Sequence, residues 1–423
     1  MRRGIAATAL VATLALTVAA CGGDDGDSGS KGSGKLSGTV TFWDTSNDAE
    51  KATYKKLAEG FEKLHPDVEV NYVSVAFGEA NAKFKNAAGG NSGAPDVMRT
   101  EVAWVADFAN LGYLAPLEGT AALDKADDYL PQAAASTKFK GKTYAAPQTI
   151  DTLALFYNKK MLKEAGVEVP KSFDEVKSAA KKIKSKSGKT GLYLRGDDPY
   201  YYLPYLYGEG GDLLDTKNKK ITVDDPQGAA AFKVMKDLVD SKAATTDASD
   251  GYNNQLNAFK DGDVAMALDG PWSIEGAMQG KEFKGDKDNL GIAPVPGGSD
   301  RQASPQGGWN LAAYAGSKNL DASYEFIKYM SSAKVQQQTT EKLSLLPTRT
   351  SVYDAKSVKD NQMVQFFKPA VDKSVERPWI PQANALFEPI RLQMEKVLSG
   401  KTSPENGAKG VGDAYRKLLK DYK

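Results

Sequence analysis

Short apolar strands alternate with capped helices along most of this chain, and that alternation restricts it to layered α/β architecture. Thr39 to Trp43 alternates, with Val40 and Phe42 on one face, and reads as a strand. Asn47, with Glu50 three residues on, resembles a helix cap, and Tyr54, Leu57, Ala58, Phe61 and Leu64 then recur at helical spacing. Val68, Val70 and Tyr72 alternate as a second strand, expected to run parallel to the first across the intervening helix. Pro95 to Met98 predicts a short third strand, and Val102 to Leu111 a helix ended by Gly112. The same grammar follows in a second region. Thr152 to Tyr157 reads as a strand and Asn158 to Glu164 as a helix stopped at Gly166. Ser172 and Glu175 form a capping box, and Leu192 to Leu194 is a strand. Asp225 and Pro226 open a helix; Val264, Met266 and Leu268 alternate up to Asp269-Gly270-Pro271-Trp272; Gly308 to Tyr314 is a late strand. The C-terminal part is mainly helical, including Ala383 to Leu398 and Pro404 to Leu419.

The first residues follow a different logic. Arg2 and Arg3 precede an uncharged small or apolar run, Ile5 to Ala20, too short for a comfortable membrane span. This is the layout of a secretory signal over residues 1–20. Val18-Ala19-Ala20 directly before Cys21 resembles a lipobox, in which Cys21 is lipidated and becomes the mature N-terminus. Residues 21–35 are otherwise Gly, Asp, Ser and Lys, with nothing apolar to bury, and read as a tether. The remaining 388 residues (423 − 35) are too many for one core, so two lobes are expected.

Several function classes are excluded by what the chain lacks. Its 55 basic and 54 acidic residues leave no basic stripe for nucleic acid. Cys21 is the only Cys, so once it carries lipid there is no disulfide, thiolate nucleophile or Cys metal site. His65 is the only His, which removes His triads and multi-His zinc sites; it sits at a helix end before Pro66. No catalytic constellation, metal site or cofactor is expected.

Binding groups stand instead at strand ends. Open α/β sheets hold their ligands beyond the carboxyl ends of strands. There the sequence places Trp43-Asp44, Arg99-Thr100-Glu101 with Trp104, Asp151, Asp197-Asp198-Pro199-Tyr200, Trp272, and Gly307-Gly308-Trp309. Phe387 and Arg391 lie one turn apart on a late helix, and Trp379 sits between Pro378 and Ile380. Sugars present C–H faces that stack on aromatic rings and hydroxyls that need planar, often charged, partners. Each residue also has a plainer reading: a Trp in a core, a post-strand Asp as a helix cap, Arg391 as a surface charge.

The pieces Leu57 to Val68, Pro95-Asp96-Val97, Leu155-Phe156-Tyr157-Asn158-Lys159, Ala258-Phe259, Gly270-Pro271-Trp272, Gly307-Gly308-Trp309 and Pro381-Gln382 with Arg391 together resemble extracellular solute-binding proteins of ABC sugar importers. The texture is that of the maltose/maltodextrin-binding group in its Gram-positive lipoprotein form. The resemblance implies a two-lobe periplasmic-binding-protein-like α/β fold of type II, its lobes joined by hinge strands around a ligand cleft. It implies an N-terminal lobe of residues 36–148 plus 298–346, and a C-terminal lobe of 149–297 plus 347–423. Asp151 then matches a hinge-region carboxylate to sugar hydroxyls, Tyr200 a stacking ring with Asp198 its acidic neighbour, and Trp272 and Trp309 further stacking rings. Phe387 falls where some members stack a Trp, and Arg391 matches a guanidinium reaching the cleft. Asp44, Glu101 and Trp104 complete the set from the first lobe. Thr100 and Ser46-Asn47 depart from the enteric pattern, which leaves chain length open.

The resemblance implies a monomeric, non-enzymatic receptor held by lipid on Cys21 at the extracellular face of the cell membrane. It would bind maltose or maltodextrins and pass them to ABC permease subunits by hinge closure. Trehalose, cellobiose or chitobiose are alternative ligands, because stacking fixes sugar faces and not linkages. A secreted glycosidase using Asp44, Glu101, Asp151 or Asp198 is the alternative of another class.

Overall fold

The period-two pattern at the start of the chain becomes β1, Gly38–Asp44, with Val40 and Phe42 buried on one face and Trp43 on the other. These coordinates are a computed structural model, which describes residues 36–423; the signal segment, Cys21 and the tether lie outside the described residues. Helix Asp48–Leu64 follows β1. The Asn47 side chain caps it by accepting from the backbone N–H of Ala49 and Glu50, and His65 ends it. β2, Val68–Ser74, returns parallel to β1, with Phe42 opposite Tyr72 and Asp44 opposite Ser74. Further along come β3 (Val97–Glu101), β4 (Ala146–Asp151), β5 (Ala154–Asn158), β6 (Thr190–Tyr193) and β7 (Ala244–Thr245). β8 (Val264–Asp269), β9 (Leu290–Pro294), β10 (Gly307–Ala313) and β11 (Leu346–Pro347) complete the two main sheets.

One sheet has the order β11-β4-β10-β3-β1-β2 and the other β7-β6-β8-β5-β9. Each carries apolar cores on its faces, as a sheet sandwiched by helices requires. Phe42, Tyr54, Phe61, Phe326 and Ile327 fill one side of the first sheet, and Phe84, Phe108 and Leu114 the other. Leu155, Leu192, Tyr202, Phe232, Met235 and Tyr415 form the largest core, against the second sheet. On its opposite side Phe156, Phe259, Phe283 and Phe367 pack with Ile150 and Leu346, which belong to the first sheet. The two layers therefore share apolar contact where the chain passes between them. This is an α/β fold of two lobes. No helix among the described residues is long and apolar enough to cross a membrane.

Three local readings change. The run read as a strand from Thr152 to Tyr157 is interrupted: β4 ends at Asp151 in the first sheet and β5 starts at Ala154 in the second. Between them the Thr152 hydroxyl donates to the Pro305 carbonyl at 2.9 Å, and the Leu153 N–H donates to Ser304 Oγ at 3.0 Å. The third strand lies three residues later at its C-terminal end than Pro95 to Met98, so Arg99 and Thr100 are in the ladder and not beyond it. Val102 to Leu111 begins as a 3-10 turn, Val102–Trp104, before the α-helix Val105–Asn110; Gly112 then takes φ 75°. The cap of the first helix is as expected: the Glu50 carboxylate returns to Asn47, accepting from its Nδ2 at 3.4 Å. That carboxylate is buried and also turned towards Arg99.

Candidate functional site

The carboxyl edge of the first sheet gathers its polar residues by ladder register. β1 ends at Asp44, β3 at Glu101 and β4 at Asp151. β10 runs antiparallel to both β3 and β4, so its first residues lie at the same edge: Gly307 opposite Asp151, and Trp309 opposite Glu101. Only glycine fits at 307, because a Cβ there would collide with the Asp151 carboxylate and approach the Tyr200 hydroxyl. That glycine brings the two lobes' binding groups together.

Asp151 is the open acceptor of the site. It is buried, yet accepts no hydrogen bond from the described residues. Burial pushes its carboxyl up to about 7, and the nearby Glu101 carboxylate pushes in the same direction. Arg377 and Arg99 pull it back. A carboxylate so placed lacks the donors that would compensate its burial, and ligand hydroxyls can supply them.

Arg377 is a member of this candidate site that the sequence reading did not single out. Its buried guanidinium pairs with Glu101 through Nη2 and donates from Nε to the Gln306 carbonyl at 2.8 Å. The rings of Tyr200, Trp379 and Phe387 surround it, with centroids 5.3, 5.6 and 5.6 Å away. Arg377 lies in irregular chain after the short strand Ser374–Val375, so no strand end announces it. The signal available was its setting, Arg377-Pro378-Trp379. Arg391 instead pairs with Glu388 at 2.7 Å and lies 3.8 Å from Glu395, both on its own helix Phe387–Leu398.

The second sheet supplies the aromatic wall. The loop after β6 carries Asp198, which accepts from the Tyr200 N–H at 2.9 Å and faces Arg195 at 3.7 Å. It thus aims Tyr200, whose hydroxyl donates to the Pro305 carbonyl at 3.0 Å. Its neighbours Tyr201, Tyr202, Tyr205 and Tyr207 are core residues. Trp272 follows β8 and lies 6.4 Å from the Tyr200 ring. The Trp272 carbonyl accepts from Asn47 Nδ2 at 3.1 Å, a contact between the two lobes.

The edge of the first sheet, the first wall of the site, is backed by a second polar layer. Arg99, 1 % exposed, donates from Nε to Gln148 Oε1 at 2.8 Å and sits 3.6 Å from Glu50. Its guanidinium stacks 4.2 Å from the Trp309 ring centre and so supports that ring from behind. Burial pushes the Glu50 carboxyl up to about 7, against the pull of Arg99. Asp44 is fully buried and occupied, accepting from the Ser46 N–H at 3.1 Å and from the hydroxyls of Ser46 and Tyr72. Trp104 is also buried; its Nε1 donates to Asn384 Oδ1 at 3.1 Å, a second contact between the walls.

The structure thus joins Glu101, Asp151, Asp198, Tyr200, Trp272, Trp309 and Phe387 through shared neighbours, and adds Arg377. Aromatic faces surround one ion pair and one carboxylate to which no described residue donates. That combination suits a ring-shaped polyhydroxylated solute. No group of three or more His, Cys, Asp or Glu among the described residues is placed to hold a metal ion.

The crystal structure of the GacH receptor of Streptomyces glaucescens GLA.O, determined unliganded and with acarbose and an acarbose homolog, superposes with a TM-score of 0.90. It is 75% identical, over 92% of this chain and 100% of that one. The diacetylchitobiose binding protein DasA of Streptomyces coelicolor is 28% identical over 429 residues, 99% of each chain. The maltotriose-binding protein of Pyrococcus abyssi is 27% identical over 369 residues, 86% of this chain and 78% of its own. Bacterial extracellular solute-binding proteins, as a family, match residues 45–337. Such proteins bind solutes and are not enzymes, which removes the glycosidase alternative. With more than half its length matched, the chain belongs to the bacterial extracellular solute-binding protein family.

Proposed function

We propose that this chain is the receptor of an ABC importer for α-linked gluco-oligosaccharides, covering maltodextrins and pseudo-oligosaccharides of the acarbose type. The observation that carries the reading is the Asp151 carboxylate, buried without a protein donor beside Arg377 and between aromatic walls. The relative solved with acarbose, at 75% identity, supports the ligand class. Asp151, Glu101 and Arg377 take the hydroxyls; Tyr200, Trp272, Trp309 and Phe387 take the ring faces. Asp198, Asp44 and Trp104 position neighbours.

In this reading the lobes, residues 36–148 plus 298–346 and 149–297 plus 347–423, close on the ligand. The Asn47–Trp272, Trp104–Asn384 and Glu101–Arg377 contacts are those that closure makes. Ligand shifts the equilibrium only if it binds the closed form better than the open one. Lipid on Cys21 and the residue 21–35 tether hold the receptor at the outer face of the membrane, near the permease that reads the closed form.

Tryptophan fluorescence of residues 36–423 tests this. Maltotriose and acarbose are expected to give saturable changes, and cellobiose none. A response confined to trehalose, cellobiose or chitobiose would overturn the linkage, and silence with every sugar would overturn the site.

A further inference from the structure

The aromatic surface of the first wall extends further than the residues so far assigned. Phe77 begins the helix Phe77–Gly89 and is 52% exposed, one of few large apolar side chains left so open. A lone exposed Phe needs no explanation. This one is not alone. Its ring lies flat on Trp104, with centroids 5.5 Å apart and planes 10° apart. It also meets Trp309 edge-on at 5.5 Å and 77°. Trp104, at 2% exposed, is thereby covered and held by Asn384 of the opposite wall, so it offers no face to a ligand. The free face of the stack belongs to Phe77. Space beside it is open, since a Cβ added at Gly78 would meet nothing within 4 Å, and Glu79 on the same turn is an exposed acceptor.

We infer that Phe77 is an additional stacking subsite at the outer end of the cleft, taking a third or later pyranose ring of an oligosaccharide. The inference rests on the sugar-receptor reading above and deepens it: the cleft favours chains longer than a disaccharide. Trp309 takes the inner ring, and Phe77, buttressed from behind by Trp104, continues the platform outward. Phe77 anchors no core, so its loss leaves the fold intact.

Calorimetric titration of residues 36–423, which form a compact unit of their own, with maltose, maltotriose, maltotetraose and maltopentaose tests it. In the wild type, affinity rises with chain length. Phe77→Ala leaves maltose affinity unchanged and lowers that for maltotetraose and maltopentaose about fivefold, the scale of one aromatic stack. Phe77→Tyr keeps the ring and retains the length preference. A loss equal for all four sugars, or no loss with any, overturns the subsite while leaving the receptor reading in place. Failure of the wild type to bind any of them overturns both.

Discussion

Arg377→Ala is expected to weaken sugar capture strongly and to destabilise the protein in one step. The guanidinium is buried, pairs with Glu101 and donates to the Gln306 carbonyl. Removing one member of a buried pair leaves the other charge uncompensated, at a cost of about 3–5 kcal/mol. Here the abandoned carboxylate is Glu101, which already acts against ionisation of Asp151. Loss of Arg377 also removes a cation that holds the Asp151 carboxyl down, so the principal acceptor becomes protonated at neutral pH. Three aromatic rings lose the group they surround. Affinity for the bound sugar should fall by about 100-fold or more, in line with truncation of a buried hydrogen-bonded charge pair. Calorimetric titration and thermal unfolding of the same sample read both effects. Arg391→Ala is the contrast: its partners lie on its own helix, and affinity should change less than about twofold. The reverse ranking would give the cleft guanidinium to Arg391.

Sugar binding is expected to depend on pH through Asp151. Ionised, it accepts charge-assisted hydrogen bonds from sugar hydroxyls, roughly twice as strong as neutral ones. Its carboxyl stands at about 7 in the free protein, so affinity rises from pH 5 to about 7 and then levels. Sugar stabilises the ionised form, and binding below that point releases a proton. The stability of the unliganded protein runs the other way. A carboxyl whose folded value lies above its unfolded value, about 3.9, contributes stability that is complete below the unfolded value and lost as pH rises through the folded one. Glu50, also pushed up to about 7, adds to this loss over the same window. The unliganded Tm should therefore fall between pH 5 and 8 while the shift given by sugar grows. Asp151→Asn should flatten the affinity profile and cost about 100-fold at pH 8, since hydrogen bonds to a charged group contribute about 1.5–3 kcal/mol each. An unchanged pH profile in that variant would place the titrating group elsewhere.

Much of this architecture was legible because the first lobe obeys local rules. Val40 and Phe42 alternate, Asn47 caps, Tyr54 to Phe61 recur at helical spacing, and the parallel β1–β2 ladder follows. The passage between sheets at Thr152 and Leu153 was not legible. Ala146 to Asn158 is buried almost throughout, so periodicity vanishes, and the break is set by partners distant in sequence, Gly307–Ala313 on one side and Val264–Asp269 on the other. The strand-end rule found the edge of the sheet but not the direction of each side chain. Asp44 and Trp104 stand near that edge with their polar atoms taken up by protein partners, whereas Asp151 accepts from no described residue and Trp309 is partly exposed. Arg377 escaped because irregular chain carries no periodic signal, and Phe77 because nothing in the sequence joins it to Trp104.

The most direct test is a crystal structure of residues 36–423 grown with acarbose. Sugar density is expected between the lobes, with hydroxyls within hydrogen-bond distance of Asp151 and Arg377 and ring faces against Tyr200 and Trp272. Density at any other surface, with the Asp151 carboxylate still unpartnered, would contradict that binding site.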